Sequence, residues 1–406
     1  MKRKGNLYAK ICSLENLYLA DQKAQRGKSG QPGVIAHNEN WEANLYSLHW
    51  QLVNKTYKTS PYTTFRVHEP KEREIFRLPY YPDRIVHHAI MNVLEEIFRA
   101  CFTADTYSCI KGRGIHGALK AVKKAFRDEA GTRYYVKMDI RKFYPSIDHS
   151  ILKNLLRRKF KDEDLLWLLE EIIDSAPGLP IGNYLSQYFG NFMLSGLDHW
   201  LKEKKGVKNH FRYLDDMVIF GPDKPSLHQL RAEIQQYLRE KLRLEMKKNY
   251  RVAPVYPQGL DFLGYVCFHT HILMRKTIKK NFARLVARRP NVESIIRYWG
   301  WAKHCNSNNF IKTLLHEHLQ GTRHHGCLSR LRRRQHQNRT PGRQRNFGLA
   351  PQGHRLNEKA WHAMPISSTG IRRHEKGAFH GCQSIAGSGG KGPGEGFSFL
   401  HNHREE

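Results

Sequence analysis

The stretch FRYLDDMVIF, residues 211–220, contains two apolar runs separated by two adjacent carboxylates. Residues 211–213 and 217–220 are rich in aromatic and aliphatic side chains, a composition that is typical of strands. The pair Asp215-Asp216 between the two runs predicts a tight turn. The sequence therefore predicts two strands joined by an acidic turn.

A third carboxylate, Asp139, ends the strand-like segment that begins at Tyr134. Three carboxylates at neighbouring strand ends can hold two Mg²⁺ ions, as two-metal phosphoryl transfer requires. In that chemistry one ion activates an attacking 3′-hydroxyl and the other carries the triphosphate and leaving group. Taken singly, Asp139 would equally fit a helix N-cap, and Asp215 and Asp216 would fit a solvated turn. Their joint placement at strand ends favours the metal site.

The composition indicates a polyanionic partner. The chain has 406 residues and a formal net charge of +31, which most simply indicates nucleic acid; the alternative is that the basic residues only solubilise the surface. No apolar run is long enough to span a bilayer. The seven cysteines are scattered and form no CxxC pair, which favours reduced thiols in a cytoplasmic protein.

Apolar spacing predicts an α+β chain, in which helices alternate with the strands described above. The predicted helices cover residues 6–26, 40–57, 83–102, 114–127, 149–160, 163–174, about 20 residues after 182, 225–243 and 276–315. Residues 65–79 are predicted to be a basic extended stretch, and residues 259–273 a closing hairpin.

The character of the chain changes beyond about His316. Residues 317–406 are basic and nearly free of apolar periodicity, which predicts a disordered tail. Two interpretations remain open: a basic RNA-binding tail, or a non-native end such as a frame-shifted one. The histidines and cysteines of this segment lack a recognisable ligand spacing, so a metal site is not predicted there.

Taken together, the motifs resemble the reverse transcriptases. Asp139 begins a D-x-x-x-F-Y-x-x-I pattern, residues 213–216 match the Y-x-D-D box, and the similarity covers roughly residues 6–315 in family order. The resemblance implies a right-hand polymerase with a helical extension (1–60), fingers and palm (61–275), a helical thumb (276–316) and the tail. It implies metal binding at Asp139, Ile140, Asp215 and Asp216.

The resemblance also implies a substrate site. Tyr144 matches the family's steric gate, a ring that would clash with a ribose 2′-hydroxyl; alternatively it is a core aromatic. Alternation along a strand would place Lys71, Arg73 and Arg77 on one face to grip a triphosphate, with Lys71 and Arg73 favoured. A solvated edge strand is the alternative. Either Lys247 or Lys248 occupies the place of a lysine near the leaving pyrophosphate, where it could act as a general acid.

Three further segments resemble the parts of the family that meet nucleic acid. Arg84, and Lys111 with Arg113, lie in motifs that contact template and primer backbone in the family. The glycines flanking Lys111 and Arg113 would let the chain approach a phosphate closely. Gly264 lies in a segment that resembles the primer grip, where glycine would again allow close approach; the alternative is an ordinary buried hairpin.

The loop at residues 178–187 discriminates between kinds of reverse transcriptase. Retroviral, retron and group II intron enzymes usually carry Pro-Gln-Gly there, whereas this chain has Ile181 before Gly182, and Ser186-Gln187 instead of Ser-Pro. This pattern resembles the enzymes of bacterial diversity-generating retroelements. Isoleucine cannot hydrogen-bond, so the pocket would depend on shape, which discriminates poorly between bases. The alternative is that Ile181 merely packs.

The sequence thus predicts an RNA-directed DNA polymerase that uses two Mg²⁺ ions, deoxynucleoside triphosphates, a template RNA and a primer. As the resemblance implies, it would be encoded by a bacterium or phage, act in the cytoplasm without a membrane, and make cDNA with errors at template adenines. A small basic accessory protein is a further implied partner. The rivals are a group II intron-like or retron-type enzyme and a catalytically silent RNA-binding protein.

Overall fold

A computed structural model describes residues 3–68, 72–288 and 292–321 of the chain. Lys71, one of the predicted triphosphate ligands, lies outside the described residues. The predicted tail also lies outside them from residue 322 onward. The part of the tail before residue 322 belongs to the last helix, which begins at Asn308.

Helices make up most of the described chain. Three of them begin at an aspartate whose carboxylate accepts a backbone N–H of the first turn: Asp148 from Ile151, Asp162 from Leu165 and Asp223 from Ser226. The helices are α1 (Tyr8–Cys12), α2 (Leu14–Gln25), α3 (Pro32–Glu39), α4 (Trp41–Val53), α5 (Ile85–Arg99), α6 (Gly114–Ala125), α7 (His149–Lys159), α8 (Glu163–Ile173), α9 (Tyr184–His199), α10 (Lys224–Leu242), α11 (Lys276–Ala287), α12 (Val292–Ala302) and α13 (Asn308–Gly321).

The strands form three antiparallel sheets. The central sheet has the order β4-β5-β3-β6, and the two smaller sheets are β1-β2 and β7-β8-β9. The strands are β1 (Thr63–Val67), β2 (Arg73–Arg77), β3 (Tyr134–Asp139), β4 (His210–Tyr213), β5 (Asp216–Gly221), β6 (Arg251–Pro254), β7 (Leu260–Phe262), β8 (Tyr265–Cys267) and β9 (Ile272–Met274).

Both faces of the central sheet are covered. Along β3, Val136 and Met138 join the large apolar core that contains residues of α5 and α7–α10. The alternate residue Tyr135 joins a second core with residues of α6 and of β7–β9. Because successive strand side chains point to opposite faces, this alternation fixes the sheet between two layers. Residues of α11–α13 form a third, separate core around Phe282.

The predicted combination of helices and strands is confirmed. The basic extended stretch is the β1–β2 hairpin, and the acidic stretch is the β4–β5 hairpin. The strand β6 and the helix α3 were missed, and the closing hairpin is a three-stranded sheet. The single helix predicted over residues 276–315 is three helices, α11, α12 and α13. Within the described ranges, every helix is too short or too polar to cross a membrane.

Candidate active site

Strand register brings the three predicted carboxylates together. Asp139, the last residue of β3, pairs directly with Asp216, the first residue of β5. Asp215 lies in the two-residue turn between Tyr213 and Asp216, which also form a pair in the β4–β5 ladder. The turn places Leu214 at φ +55°, a left-handed conformation that is uncommon for residues other than glycine. The predicted acidic turn is therefore present, and Asp139 lies beside it.

Burial and the repulsion between neighbouring carboxylates raise the pKa of Asp215 and of Asp216. Burial, together with the Asp139 carboxylate and a hydrogen bond to it, raises the pKa of Asp215 from 3.8 to about 7. Burial also raises the pKa of Asp216, although nearby Lys137 acts against this rise. Three ionised carboxylates are therefore unfavourable here without positive charge, and this is the electrostatic environment of a cation site.

Two lysines supply positive charge. The backbone N–H of Lys247 donates to the Asp139 carbonyl at 2.8 Å, and its ammonium group forms an ion pair with the Asp139 carboxylate. Lys248 is exposed, so the structure turns Lys247, not Lys248, toward the carboxylates. Lys137 lies 3.6 Å from the Asp216 carboxylate and donates to the Asp261 carbonyl at 2.8 Å. Sequence reasoning missed Lys137, although its place two residues before Asp139 on one strand puts both on the same face.

The carboxylate oxygens could hold a divalent cation, although among the described residues no three His, Cys, Asp or Glu side chains are already arranged as a metal site. Oδ1 of Asp139 and Oδ1 of Asp216 are buried and make no hydrogen bond within the described residues. Such oxygens are costly to leave unpaired, and carboxylate oxygens are the ligands that Mg²⁺ prefers. The side chain of Ile140 is fully buried, so only its backbone carbonyl could reach a cation.

Tyr144 lies in a short 3₁₀ turn, Tyr144–Ser146, that follows Asp139. Its ring centroid is 5.4 Å from that of Phe143, which is buried, whereas Tyr144 is partly exposed. Burial of its hydroxyl, with Asp215 nearby, raises its pKa well above the usual value, so the hydroxyl stays protonated. Gly190 on α9 leaves room for both rings: a Cβ there would lie 3.0 Å from Phe143.

The loop before α9, residues 178–183, forms backbone hydrogen bonds with both Tyr144 and the β1–β2 hairpin. The Leu179 N–H donates to the Tyr144 carbonyl at 2.8 Å, and the Ile181 carbonyl accepts from the Phe76 N–H at 2.8 Å. Gly182 has φ +123°, and a Cβ there would lie 2.3 Å from the Phe76 carbonyl oxygen. Only glycine therefore fits at position 182 without displacing β2. The loop thus contacts Tyr144 through Leu179 and contacts β2 through Ile181 and Gly182.

The basic residues of the predicted triphosphate grip are exposed. Arg73 and Arg77 lie at the two ends of β2, and the structure shows no ion pair for either among the described residues. Arg84, at the start of α5, is partly buried, and burial with the nearby Arg77 guanidinium lowers its pKa. This concentration of unpaired positive charge fits an anionic partner.

The other residues predicted to contact nucleic acid differ in their exposure and in the partners they already have. Lys111 is exposed on a loop whose glycines, Gly112 and Gly114, have positive φ. The Arg113 guanidinium instead donates to the backbone carbonyl of Thr106 at 2.9 Å, so it braces its own loop. Gly264 has φ +86°, and a Cβ there would lie 2.4 Å from the Trp301 ring. The close approach at Gly264 is therefore a contact between β7–β8 and α12.

Comparison with known proteins finds similarity to reverse transcriptases. Residues 69–267, just under half of the chain, match the family model described as reverse transcriptase (RNA-dependent DNA polymerase). The Escherichia coli (strain K12) protein YkfC is 24% identical over 312 residues, which cover 64% of this chain and 80% of YkfC. The group II intron-encoded protein LtrA of Lactococcus lactis subsp. cremoris is 24% identical over 177 residues, 40% of this chain and 29% of LtrA.

Among solved structures, telomerase from Candida tropicalis in complex with a fragment of telomeric RNA aligns with a TM-score of 0.42 and 11% identity, covering 66% of this chain and 58% of the telomerase. The family match spans β2 through β8 and includes every element that carries the carboxylate site. Residues 69–267 are therefore similar to reverse transcriptases, and this match supports an RNA-directed DNA polymerase.

Proposed function

We propose that the chain copies an RNA template into DNA by attack of a primer 3′-hydroxyl on a deoxynucleoside triphosphate. The observation that carries this proposal is the convergence of Asp139, Asp215 and Asp216 at one end of β3 and β5, with raised pKa values at Asp215 and Asp216 and unpaired oxygens on Asp139 and Asp216. In this interpretation the central sheet is the palm, the β1–β2 hairpin with α5 and α6 forms the fingers, and α11–α13 form the thumb.

Asp139, Asp215, Asp216 and the carbonyl of Ile140 would hold two Mg²⁺ ions, which supply Lewis-acid activation of the hydroxyl and charge neutralisation of the triphosphate. The chain's own groups complete the site. Lys247 Nζ forms an ion pair with Asp139 and would protonate the leaving pyrophosphate.

Substrate selection would depend on groups around Tyr144. The Tyr144 ring, supported by Phe143 and by the space above Gly190, would exclude a ribose 2′-hydroxyl. The exposed cations of β2, Arg73 and Arg77, would bind the triphosphate, as guanidinium groups bind phosphate oxygens in a fork geometry. Lys71 stays a predicted member of this group.

The element that this enzyme serves is proposed from the loop before α9. Ile181 offers the nascent base pair an apolar side chain without a donor or acceptor, which favours error-prone cDNA synthesis in a diversity-generating retroelement. The similarity to LtrA supports a second candidate equally, an enzyme of the group II intron type. In either case the partners are a template RNA and a primer, and in the first case a small basic accessory protein.

Primer extension on a defined RNA template, with Mg²⁺, four deoxynucleotides and base-by-base sequencing of the product, tests the proposal. Errors concentrated opposite template adenine would support the diversity-generating candidate. Accurate DNA would support the group II intron candidate. A protein that binds the RNA but makes no DNA, with and without a cognate accessory protein, would contradict polymerase function.

A further inference from the structure

Arg212, which immediately precedes the Tyr213–Asp216 segment, is buried completely in the structure. A fully buried arginine is rare in proteins unless its charge is paired, because removing a guanidinium from water is costly. The surroundings of Arg212 therefore indicate what the side chain does there.

An aspartate on α9 pairs with this charge. Nε of Arg212 donates to Asp198 Oδ1 at 2.8 Å, and Nη2 donates to Asp198 Oδ2 at 2.6 Å. The arginine lowers the pKa of Asp198, and Thr106 donates a further hydrogen bond to that carboxylate at 2.9 Å. His210 lies 3.7 Å from Asp198, but burial lowers its pKa, so Arg212 supplies the compensating charge.

The remaining guanidinium nitrogen, Nη1, reaches the Leu214-Asp215 turn between β4 and β5. Nη1 of Arg212 donates to Asn191 Oδ1 at 3.0 Å and to the backbone carbonyl of Leu214 at 3.1 Å. Leu214 has φ +55°, a conformation that costs energy for a residue with a branched side chain, and it is joined directly to Asp215. The hydrogen bond to its carbonyl therefore opposes relaxation of a strained turn.

We propose that Arg212 is a positioning residue that holds Asp215 in its metal-binding orientation by clamping the Leu214 carbonyl to α9. This inference rests on the proposed polymerase function. Backbone contacts strengthen the clamp: the Arg212 N–H donates to the Asp105 carbonyl at 2.9 Å, and the Tyr107 N–H donates to the Arg212 carbonyl at 3.0 Å. The guanidinium thus links α9, the segment around Thr106 and the turn.

The chemistry of the clamp requires arginine. A lysine at position 212 would keep a positive charge near Asp198, but a single ammonium on a flexible chain cannot bind Asp198, Asn191 and Leu214 together. Arg212→Lys is therefore the informative variant, since it retains the charge while removing the fork that reaches the turn.

The test measures metal binding apart from turnover. The full chain is assembled with an RNA template, a dideoxy-terminated primer and the next deoxynucleotide, and Mn²⁺ binding is titrated by the loss of the free Mn²⁺ EPR signal. In Arg212→Lys we expect the Mn²⁺ dissociation constant to rise at least about fivefold, which corresponds to the net free energy of one hydrogen bond. With an unblocked primer, kcat should fall while KM for the deoxynucleotide changes little.

Two further variants separate positioning from general destabilisation. Leu52→Ala truncates a buried residue of α4 and serves as the control, because Leu52 belongs to the core but not to the site. It should lower Tm without changing Mn²⁺ affinity. Leu214→Gly relieves the positive φ, so in the Arg212→Lys background it should recover part of the lost affinity. If Arg212→Lys does not fold, Asn191→Ala provides the same measurement with a smaller expected loss.

Each outcome decides the question. An Arg212→Lys protein with lowered Tm but wild-type Mn²⁺ affinity and kcat would overturn the inference, as would a failure of Leu214→Gly to recover affinity. A wild-type complex that neither binds Mn²⁺ nor extends a primer would instead contradict the proposed function itself.

Discussion

Replacing Asp215 with asparagine should stabilise the metal-free protein at alkaline pH. In the folded protein, burial and the neighbouring Asp139 raise the pKa of Asp215 from 3.8 to about 7. The folded state therefore binds this proton more tightly than the unfolded chain does. The contribution to stability is fully present below about pH 4 and is lost as the pH rises through about 7. The asparagine side chain has no proton to lose in this range, so the variant escapes this loss.

The size of the change in the free energy of unfolding follows from the pKa shift of Asp215. One pKa unit corresponds to about 1.4 kcal/mol, so a rise of about three units gives an upper bound of about 4 kcal/mol. Asp215 is only partly buried, and solvent screens part of the interaction, so we expect roughly half of this bound, about 2 kcal/mol at pH 8. For a domain of this size that corresponds to a rise in Tm of roughly 4–8 °C.

Thermal unfolding in EDTA at pH 4.5 and pH 8 measures the effect. The difference in Tm between Asp215→Asn and wild type should be large at pH 8 and small at pH 4.5, and added Mg²⁺ should reduce it. Glu129→Gln removes an exposed carboxylate and serves as the matched control, with no pH-dependent difference expected. An Asp215→Asn protein that is equal to or less stable than wild type at pH 8 would refute the electrostatic account of the site.

Three substitutions around the proposed nucleotide site give further tests. Tyr144→Ala should increase the use of ribonucleotides roughly 10- to 100-fold, the range over which a pocket rejects one extra hydroxyl, and unchanged ribonucleotide use would remove Tyr144 from sugar selection. Ile181→Gln adds a donor and an acceptor and should lower errors opposite template adenine about fivefold, the worth of one hydrogen bond; an unchanged spectrum in product sequencing would place fidelity elsewhere. Gly182→Ala would set a Cβ 2.3 Å from the Phe76 carbonyl oxygen, so it should cost about 1–3 kcal/mol and raise KM for deoxynucleotides; wild-type Tm and KM would show that β2 does not depend on this contact.

The carboxylate site was accessible from the sequence because its determinants are local. Short runs of apolar and aromatic residues mark β3, β4 and β5, and the acidic pair interrupts them at the turn. The pairing of Asp139 with Asp216 needed only the assumption that two strand ends meet. The family resemblance then supplied the order of the motifs.

Other parts of the site depend on contacts between residues far apart in the chain, which periodicity does not encode. In the sequence, Arg212 is a basic residue of a predicted strand and Asp198 is an acidic residue of a predicted helix. Only the packing of the two elements shows that both side chains are buried and paired. Similarly, Arg113 lies in a plausible basic loop motif, but its guanidinium donates a hydrogen bond to the backbone carbonyl of Thr106. The strand β6 was missed because four residues of an edge strand carry too little pattern.

The central claim is that Asp139, Asp215 and Asp216 catalyse RNA-directed DNA synthesis. Single-turnover incorporation of one deoxynucleotide opposite an RNA template, measured for wild type and Asp139→Asn together with the RNA affinity of each protein, tests it most directly. The account predicts incorporation by wild type that depends on a divalent metal, and loss of incorporation with nearly unchanged RNA affinity in the variant. Equal incorporation by both proteins would contradict it.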